Sequence, residues 1–258
     1  TGTSTAGTDY ASLSTITISA GSTTGTTTFN PTNNSIYEGS ETAIIAITGV
    51  SGGSATENGA QSQTITITDS LSAPTVTLST SASSVAENGS DLTLTATLNR
   101  QTFEDVTVTL TGTGTSTAGT DYASLSTITI SAGSTTGTTT FNPTDDSIYE
   151  GSETAIIAIT GVSGGDATEN ATQSETITIT DNESAPTVTL STSASSVAEN
   201  GSDITLTATL SGATSEDVTV TLTGTGTSTA GTDYASLSTI TISAGSTTGT
   251  TTFNPTDD

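Results

Sequence analysis

The sequence lacks the side chains on which most protein chemistry depends. Its 258 residues include no cysteine, histidine, methionine or tryptophan, and one basic residue stands against 26 acidic ones, a formal net charge of −25. Disulfides, Ser-His and Cys-His nucleophile pairs, Schiff-base lysines and thiolate zinc sites are therefore excluded. No basic patch is available for nucleic acid or anionic lipid. We expect a protein that is not an enzyme and does not bind nucleic acid.

Apolar side chains are also scarce, but they are not scattered. Hydrophobic residues make up 30% of the chain, and the longest nearly apolar stretch, residues 155–159 (AIIAI), is too short to span a bilayer. We therefore expect no membrane insertion. In residues 91–98 (DLTLTATL) and 105–110 (DVTVTL) apolar residues alternate with threonine. This period of two is typical of a half-buried strand, so the sequence predicts ordered β-structure rather than disorder.

The chain is built from internal repeats. The string STAGTDYASLSTITISAGSTTGTTTFNPT begins at Ser4, Ser116 and Ser228, which gives a period of 112 residues, the size of one β-sandwich. The first two repeats end in ITITD, and Pro74 or Pro186 then precedes a new strand, a position where proline is tolerated. We expect residues 1–71 to be the C-terminal part of one repeat, 72–183 a complete repeat, and 184–258 the N-terminal part of a third.

The predicted fold class is all-β: tandem immunoglobulin-like antiparallel sandwiches of about seven strands, with neighbouring repeats stacked semi-rigidly. Alternating runs separated by Gly, Ser, Asn and Asp favour this class over βαβ units. The strands of the complete repeat are predicted at 75–80, 91–98, 105–111, 126–131, 135–141, 153–160 and 174–180. Its predicted core contains Val76, Leu78, Val85, Leu92, Leu94, Ala96, Leu98, Val106, Val108, Leu110, Ile128, Ile130, Phe141, Ile156, Ile177 and Ile179, with Tyr122 and Tyr149 half-buried.

Acidic residues of the complete repeat lie mostly in turns and at strand ends, which converge at one pole of a sandwich. Carboxylates held together there repel one another unless a proton or a cation neutralises them. Calcium takes six to eight oxygen ligands with tolerant geometry. The alternative is that acids in turns are simply solvated, as we expect for Asp91, Glu104 and Asp105. The sequence predicts Ca²⁺ as the cofactor, bound by Glu87, Asp121, Asp145, Asp146, Glu150 and Asp181.

The order of short motifs along the complete repeat resembles the Calx-beta domain. The motifs are VAENG at 85–89, EDVTV at 104–108, AGTDY at 118–122, DD at 145–146 followed by two glutamates, and ITITD at 177–181. Calx-beta domains are calcium-associated sandwiches found in sodium/calcium exchangers and large bacterial surface proteins. The resemblance implies metal ligands at Glu87, Asp121, Asp145, Asp146, Glu150, Glu153 and Asp181.

The flanking repeats carry variants of this ligand set. In the first repeat asparagines replace the paired aspartates, and amide oxygens bring no charge, so we predict weaker calcium binding there. Its candidate ligands are Asp9, Asn33, Asn34, Glu38 and Asp69. The third repeat carries Glu199, Asp233, Asp257 and Asp258.

Near-identical acidic domains in series, without a catalytic constellation, favour a structural role. We expect an extension or stalk region of a secreted or cell-surface adhesin or filament, in which the partners of each repeat are its neighbours in the chain. Two alternatives remain open. Outward rows such as Thr107 and Thr109 could pair identical chains into an extracellular fibre, or could bind a ligand such as ice or a glycan.

Overall fold

The computed structural model describes residues 2–257, and every regular element in that range is a β-strand. The strands form sandwich modules in tandem, which confirms the predicted fold class. We call residues 2–71 module one, 72–183 module two and 184–257 module three. A helix long and apolar enough to cross a membrane does not occur in the described range.

Strand bounds follow the alternating runs of the sequence. Module one contains β1 (Ile36–Tyr37), β2 (Glu41–Ala46) and β3 (Ser62–Ile67). Module two contains β4 (Thr75–Thr80), β5 (Ser84–Ala86), β6 (Leu92–Leu98), β7 (Gln101–Thr102), β8 (Val106–Gly114), β9 (Ile128–Ile130), β10 (Thr136–Phe141), β11 (Ile148–Tyr149), β12 (Glu153–Ser163), β13 (Thr168–Glu169) and β14 (Ser174–Thr180). Module three contains β15 (Val188–Thr192), β16 (Ile204–Leu210), β17 (Ala213–Thr214), β18 (Val218–Val220), β19 (Ile240–Ile242) and β20 (Thr248–Phe253).

Module two is a sandwich of two sheets. One has the strand order β5-β14-β12-β8-β9 and the other β10-β6-β4-β13. In β6 the apolar residues are buried and the intervening threonines face outward, as a period of two requires. The 11-residue β12 is antiparallel to β8 and β14 and carries a bulge between Ile159 and Gly161. It is thus the central strand of the sheet that leads to the candidate site.

Most of the predicted core of module two is buried, and Val85 and Leu110 are partly buried and pack against it, but two assignments are wrong. Ile156 is 37% exposed, whereas its neighbours Ala155 and Ile157 are fully buried, so the inward face of β12 is one residue out of phase with the prediction. Tyr122 is 1% exposed rather than half-buried, and it stacks on Phe141 with ring centroids 4.8 Å apart. Its hydroxyl occupies the space that a Cβ at residue 112 would need, which only glycine allows.

Consecutive modules are joined by short parallel strand pairs. At the first junction β1 pairs with β7, and the backbone N–H of Phe103 donates to the carbonyl of Tyr37 at 3.2 Å. The hydroxyl of Tyr37 also donates to Asp166 Oδ2 at 3.1 Å. At the second junction β11 pairs with β17, and the Ser215 N–H donates to the Tyr149 carbonyl at 3.2 Å.

The two junctions lie at opposite ends of module two. Strand β11 directly precedes β12, whereas Thr102 of β7 lies against Gly165, just beyond the other end of β12. Eleven residues of strand span about 35 Å. Modules one and three therefore dock at the two ends of the long axis of module two.

Candidate metal centre

The acidic pole of module two is built from the ends of its strands. Glu87 follows β5, Glu150 follows β11, Glu153 opens β12 and Asp181 follows β14. Two groups of three carboxylates form here, and in each group one oxygen per residue lies within 4.8 Å of the others. The first group is Glu87, Asp181 and Glu183, and the second is Asp121, Glu150 and Glu153.

Backbone N–H groups fix the aspartates of this pole. Asp181 Oδ2 accepts hydrogen bonds from the N–H groups of Glu150 and Gly151 at 2.6 and 2.7 Å, and its Oδ1 accepts one from Glu183 at 2.7 Å. The residue at 151 has φ of +76°, a conformation suited to glycine. Asp121 Oδ2 is held by the Thr117 N–H at 2.5 Å. These carboxylates are thus oriented by the fold itself.

Glu87 is the most buried carboxylate of the pole, at 4% exposed. Burial, followed by the negative charges of Asp181, Asp146 and Glu150, raises its pKa to about 7. A glutamate in this environment is therefore stabilised by either a proton or a cation.

In the second group, too, burial and neighbouring negative charges destabilise the ionised form of a carboxylate. The pKa of Glu153 is raised to about 7, chiefly by burial. The negative charge of Asp121, a hydrogen bond with the Asp121 carboxyl and the negative charge of Glu150 raise it further. Asp181 differs, because N–H donation from Gly151 and neighbouring residues lowers its pKa although burial acts in the opposite direction. The pole thus combines one stable carboxylate with several whose negative charge is destabilised by burial and by their neighbours.

Three carboxylate oxygens at this pole have no hydrogen-bond partner among the described residues. They are Oε2 of Glu87, Glu153 and Glu183, and all three atoms are buried. The only basic side chain of the protein, Arg100, lies between β6 and β7 near the first junction. Unpartnered buried oxygens without a basic neighbour are the donor set that a hard divalent cation requires, and the residues present fit Ca²⁺.

The remaining ligand candidates of module two lie beside these groups rather than within them. Asp146 contributes to the raised pKa of Glu87 and of Glu150, and Asp145 to that of Glu183. Asp146 Oδ1 accepts the Ile148 N–H at 2.7 Å. Glu183 was not among the sequence-predicted ligands, although the DNE string that follows β14 contains it.

The corresponding pole of module one forms an open cavity of about 220 Å³ lined by all five of its predicted ligands. Asp69 Oδ2 accepts the Glu38 N–H at 2.7 Å, as its counterpart does in module two. Here, however, Asn34 Nδ2 donates to Glu38 Oε2 at 3.1 Å, and Ser70 Oγ donates to Asn33 Oδ1 at 2.8 Å. Two of the candidate ligand oxygens at this pole thus already accept hydrogen bonds from neighbouring side chains.

Glu41 also lines this cavity and was missed by the sequence analysis. Burial, followed by the charges of Asp9 and Glu38, raises its pKa. It occupies the position of Glu153 in the repeat, so the period of 112 residues was the signal that could have found it.

Module three does not bring its predicted ligands together within the described residues. Glu199 and Asp257 are exposed and Asp233 is half-buried. Asp233 Oδ2 accepts the Thr229 N–H at 2.6 Å, a local turn contact shared with the other modules. Asp258 lies outside the described residues.

The fold and the poles together define an array of acidic β-sandwich modules whose poles carry clusters of carboxylate oxygens. The family model of the Calx-beta domain matches residues 1–71 and 181–252, more than half of the chain, and the chain belongs to the Calx-beta family. Residues 72–183 match the model of the LapA domain. Calx-beta domains are binding and regulatory domains rather than catalytic ones.

Solved structures with detectable similarity are distant. The apo-form Calx CBD1 domain is 18% identical, with a TM-score of 0.38 over 43% of this chain and 100% of that one. The calcium binding domain CBD12 of CALX1.1 is 16% identical, with a TM-score of 0.36 over 68% and 73% of the two chains. A two-domain protein of unknown function from Bacteroides fragilis is 10% identical, with a TM-score of 0.32 over 57% and 67%. No curated protein sequence matches.

Proposed function

We propose that the chain is a stalk region of a secreted or cell-surface adhesin, in which Ca²⁺ binds at the module poles and stiffens the junctions. One observation carries this proposal: a single short segment of module two borders the acidic pole and docks the next module. Asp146 holds the Ile148 N–H, and Asp181 holds the N–H of Glu150. Between these two anchors, β11 pairs with β17 of module three.

The coupling follows from this shared backbone. Cations bound by the two carboxylate groups, one of which contains Glu150 and the other Asp181, would fix the backbone next to β11. The pairing partner of β17 would then be ordered before docking, which reduces the entropy lost when the junction forms. Calcium binding and junction rigidity are therefore linked, and neither requires a disulfide.

A surface location is supported by the LapA match and by the chemistry of the sites. Extracellular modules bind Ca²⁺ with dissociation constants of about 10⁻⁴ to 10⁻³ M, which oxygen-only sites on loops can reach. The net charge of −25 keeps such an array soluble and discourages lateral aggregation.

Small-angle scattering of the whole chain tests the stalk proposal. We expect an extended, well-defined particle with Ca²⁺, and a more flexible one after chelation, whereas Mg²⁺ should restore the Ca²⁺ form poorly because it demands a tighter octahedron. The variant Asp181→Asn should behave like the chelated protein even with Ca²⁺ present. Identical scattering curves with and without chelator would contradict the proposal.

A further inference from the structure

The repeats of this chain differ mainly where modules meet. Residues 73–146 and 185–258 differ at five positions, and four of these lie in one loop, which has the sequence NRQTF at 99–103 and SGATS at 211–215. We name it the docking loop, because it carries β7 or β17, the strand that pairs with the preceding module. Variation is thus concentrated on the face that each module turns toward its predecessor.

The opposite face of each junction varies as well. Residues 1–71 and 113–183 differ at eight positions, and four of these belong to the pole that borders the next module. They are Asn33, Asn34, Ser70 and Leu71 at the first junction, and Asp145, Asp146, Asn182 and Glu183 at the second. At these positions the second junction has three more acidic residues than the first, and its docking loop lacks the one basic residue of the protein.

The two variable faces lie next to each other across the junction. At the second junction, Glu183 lines the same cavity as Ser211, Gly212 and Ala213 of the docking loop. Oε2 of Glu183 is buried and has no hydrogen-bond partner within the described residues. A Cβ at residue 212 would meet no neighbouring atom within 4 Å. The docking loop of module three therefore lies beside a carboxylate and offers it no side chain at this position.

The first junction has a long cationic side chain at the same place. Arg100 occupies the repeat position of Gly212, and Leu71 occupies that of Glu183. Arg100 is only partly exposed, and its Nε is buried without a hydrogen-bond partner within the described residues. The aliphatic part of an arginine packs on apolar neighbours while its charged end stays in water, and that charge offsets nearby carboxylates. The first junction therefore contains its own cation.

We propose that the chain has two classes of junction, selected by the residues at the repeat positions of Leu71 and Arg100. With leucine and arginine, docking is independent of metal. With glutamate and glycine, docking requires a divalent cation, because the carboxylate of Glu183 has no basic side chain to face. The arginine loop thus fits a neutral pole, and the glycine loop fits a metal-loaded acidic pole. This inference rests on the proposed stalk function and assigns its calcium dependence to one class of joint.

Hydrogen exchange in the whole chain reports the two junctions separately. The N–H of Phe103 donates to the Tyr37 carbonyl across the first junction, and the N–H of Ser215 donates to the Tyr149 carbonyl across the second, both at 3.2 Å. Since exchange follows local opening, chelation of Ca²⁺ should quicken it at Ser215 by about tenfold or more and leave Phe103 unchanged. Equal acceleration at both sites would overturn the proposal and leave the stalk function intact.

An arginine introduced at the second junction should remove its calcium dependence. Gly212→Arg places a guanidinium beside Glu183, and the chain accommodates Arg100 at the same repeat position in module two. Exchange at Ser215 should then stay slow after chelation. Gly212→Gln is the matched control, because it adds a long side chain without charge and should leave this junction dependent on Ca²⁺. Equal behaviour of the two variants would contradict the role of the charge.

The reverse change tests the first junction. In Arg100→Gly, exchange at Phe103 should quicken both with and without Ca²⁺, because Leu71 offers no oxygen to a cation. Exchange at Ser215 should not change, which shows that the module remains folded. A normal calcium response at Ser215 with no effect of Arg100→Gly or Gly212→Arg would overturn the two classes of junction alone. Indifference to chelation at both junctions would overturn this inference together with the stalk proposal.

Discussion

The acidic poles of modules one and two share a scaffold and differ in charge. In both, an aspartate after the last strand of the repeat accepts a backbone N–H from the junction segment, at 2.7 Å to Asp69 and 2.6 Å to Asp181. Module two adds Glu183, with a buried unpartnered oxygen, where module one has Leu71. The backbone of the site is thus set by the repeat, whereas a few side chains set how much of its negative charge is left uncompensated.

The two poles also differ in how their carboxylates are stabilised, because module one has asparagines where module two has the paired aspartates. Asn34 donates a hydrogen bond to Glu38, whereas Asp146 at the same repeat position adds to the raised pKa of Glu87 and Glu150. The pole of module one therefore carries fewer negative charges than the pole of module two, and an amide N–H stabilises one of its carboxylates. We expect the two poles to respond differently to metal, to pH and to charge exchange.

Calcium removal should produce the largest effect. A site filled at about one hundred times its dissociation constant stabilises the fold by about 2.7 kcal/mol, so chelation should lower the melting temperature by several degrees. Calorimetry of the whole chain should show a larger shift for module two than for module one. Equal shifts for both modules, or none, would contradict the comparison.

The metal-free protein should lose stability as the pH rises. The pKa values of Glu87 and Glu153 are raised from 4.5 to about 7 in the folded protein, so the folded state binds more protons than the unfolded state between these values. Stability should therefore fall from about pH 4.5 to about pH 7 and level off above. With Ca²⁺ the slope should reverse, because the metal needs deprotonated ligands.

Chemical denaturation at several pH values, with and without chelator, measures this dependence. Glu87→Gln should flatten the metal-free profile, whereas Glu104→Gln, at the opposite end of the module, should leave it unchanged. A metal-free profile that rises with pH would refute the electrostatic account of the pole.

Charge exchange should move the two calcium affinities toward each other. Replacing Asp145 and Asp146 by asparagine should weaken the module two site by about tenfold or more, since ligand charge tunes calcium affinity. Replacing Asn33 and Asn34 by aspartate should strengthen the module one site. Site-resolved NMR titration would report both, and unchanged affinities in both variants would show that the paired residues do not act on the metal.

The smallest expected effect concerns the junctions. Tyr37→Phe removes the hydrogen bond to Asp166 and should weaken the first junction by about 0.5–1.5 kcal/mol without changing calcium affinity. Tyr149→Phe is the matched control, because no hydrogen bond of its hydroxyl is found within the described residues. Hydrogen exchange at the N–H of Phe103, which donates to the Tyr37 carbonyl, should quicken only in the first variant.

The alternation of threonine with apolar residues predicted the long strands well. The bounds of β4 and β14 match the predicted 75–80 and 174–180. The short strands β5, β7, β11 and β13 were missed, because two or three residues in a loop carry no periodic signal. Ile156 was misplaced because any phase fits the run AIIAI, and only pairing with β8 decides which residues face inward.

The site was less predictable than the fold. The sequence identified the acidic residues, but their division into two groups depends on loop geometry that brings Glu87 to Asp181 and Asp121 to Glu153.

The junctions also determine how the array would behave when pulled. Each is a parallel pair of only two residues per strand, whereas β12 is paired along its length with strands on both sides. Tension along the chain would load these joints before it loads the sandwiches. We expect the array to lengthen stepwise by undocking, with every module still folded, and to recoil once the force is released.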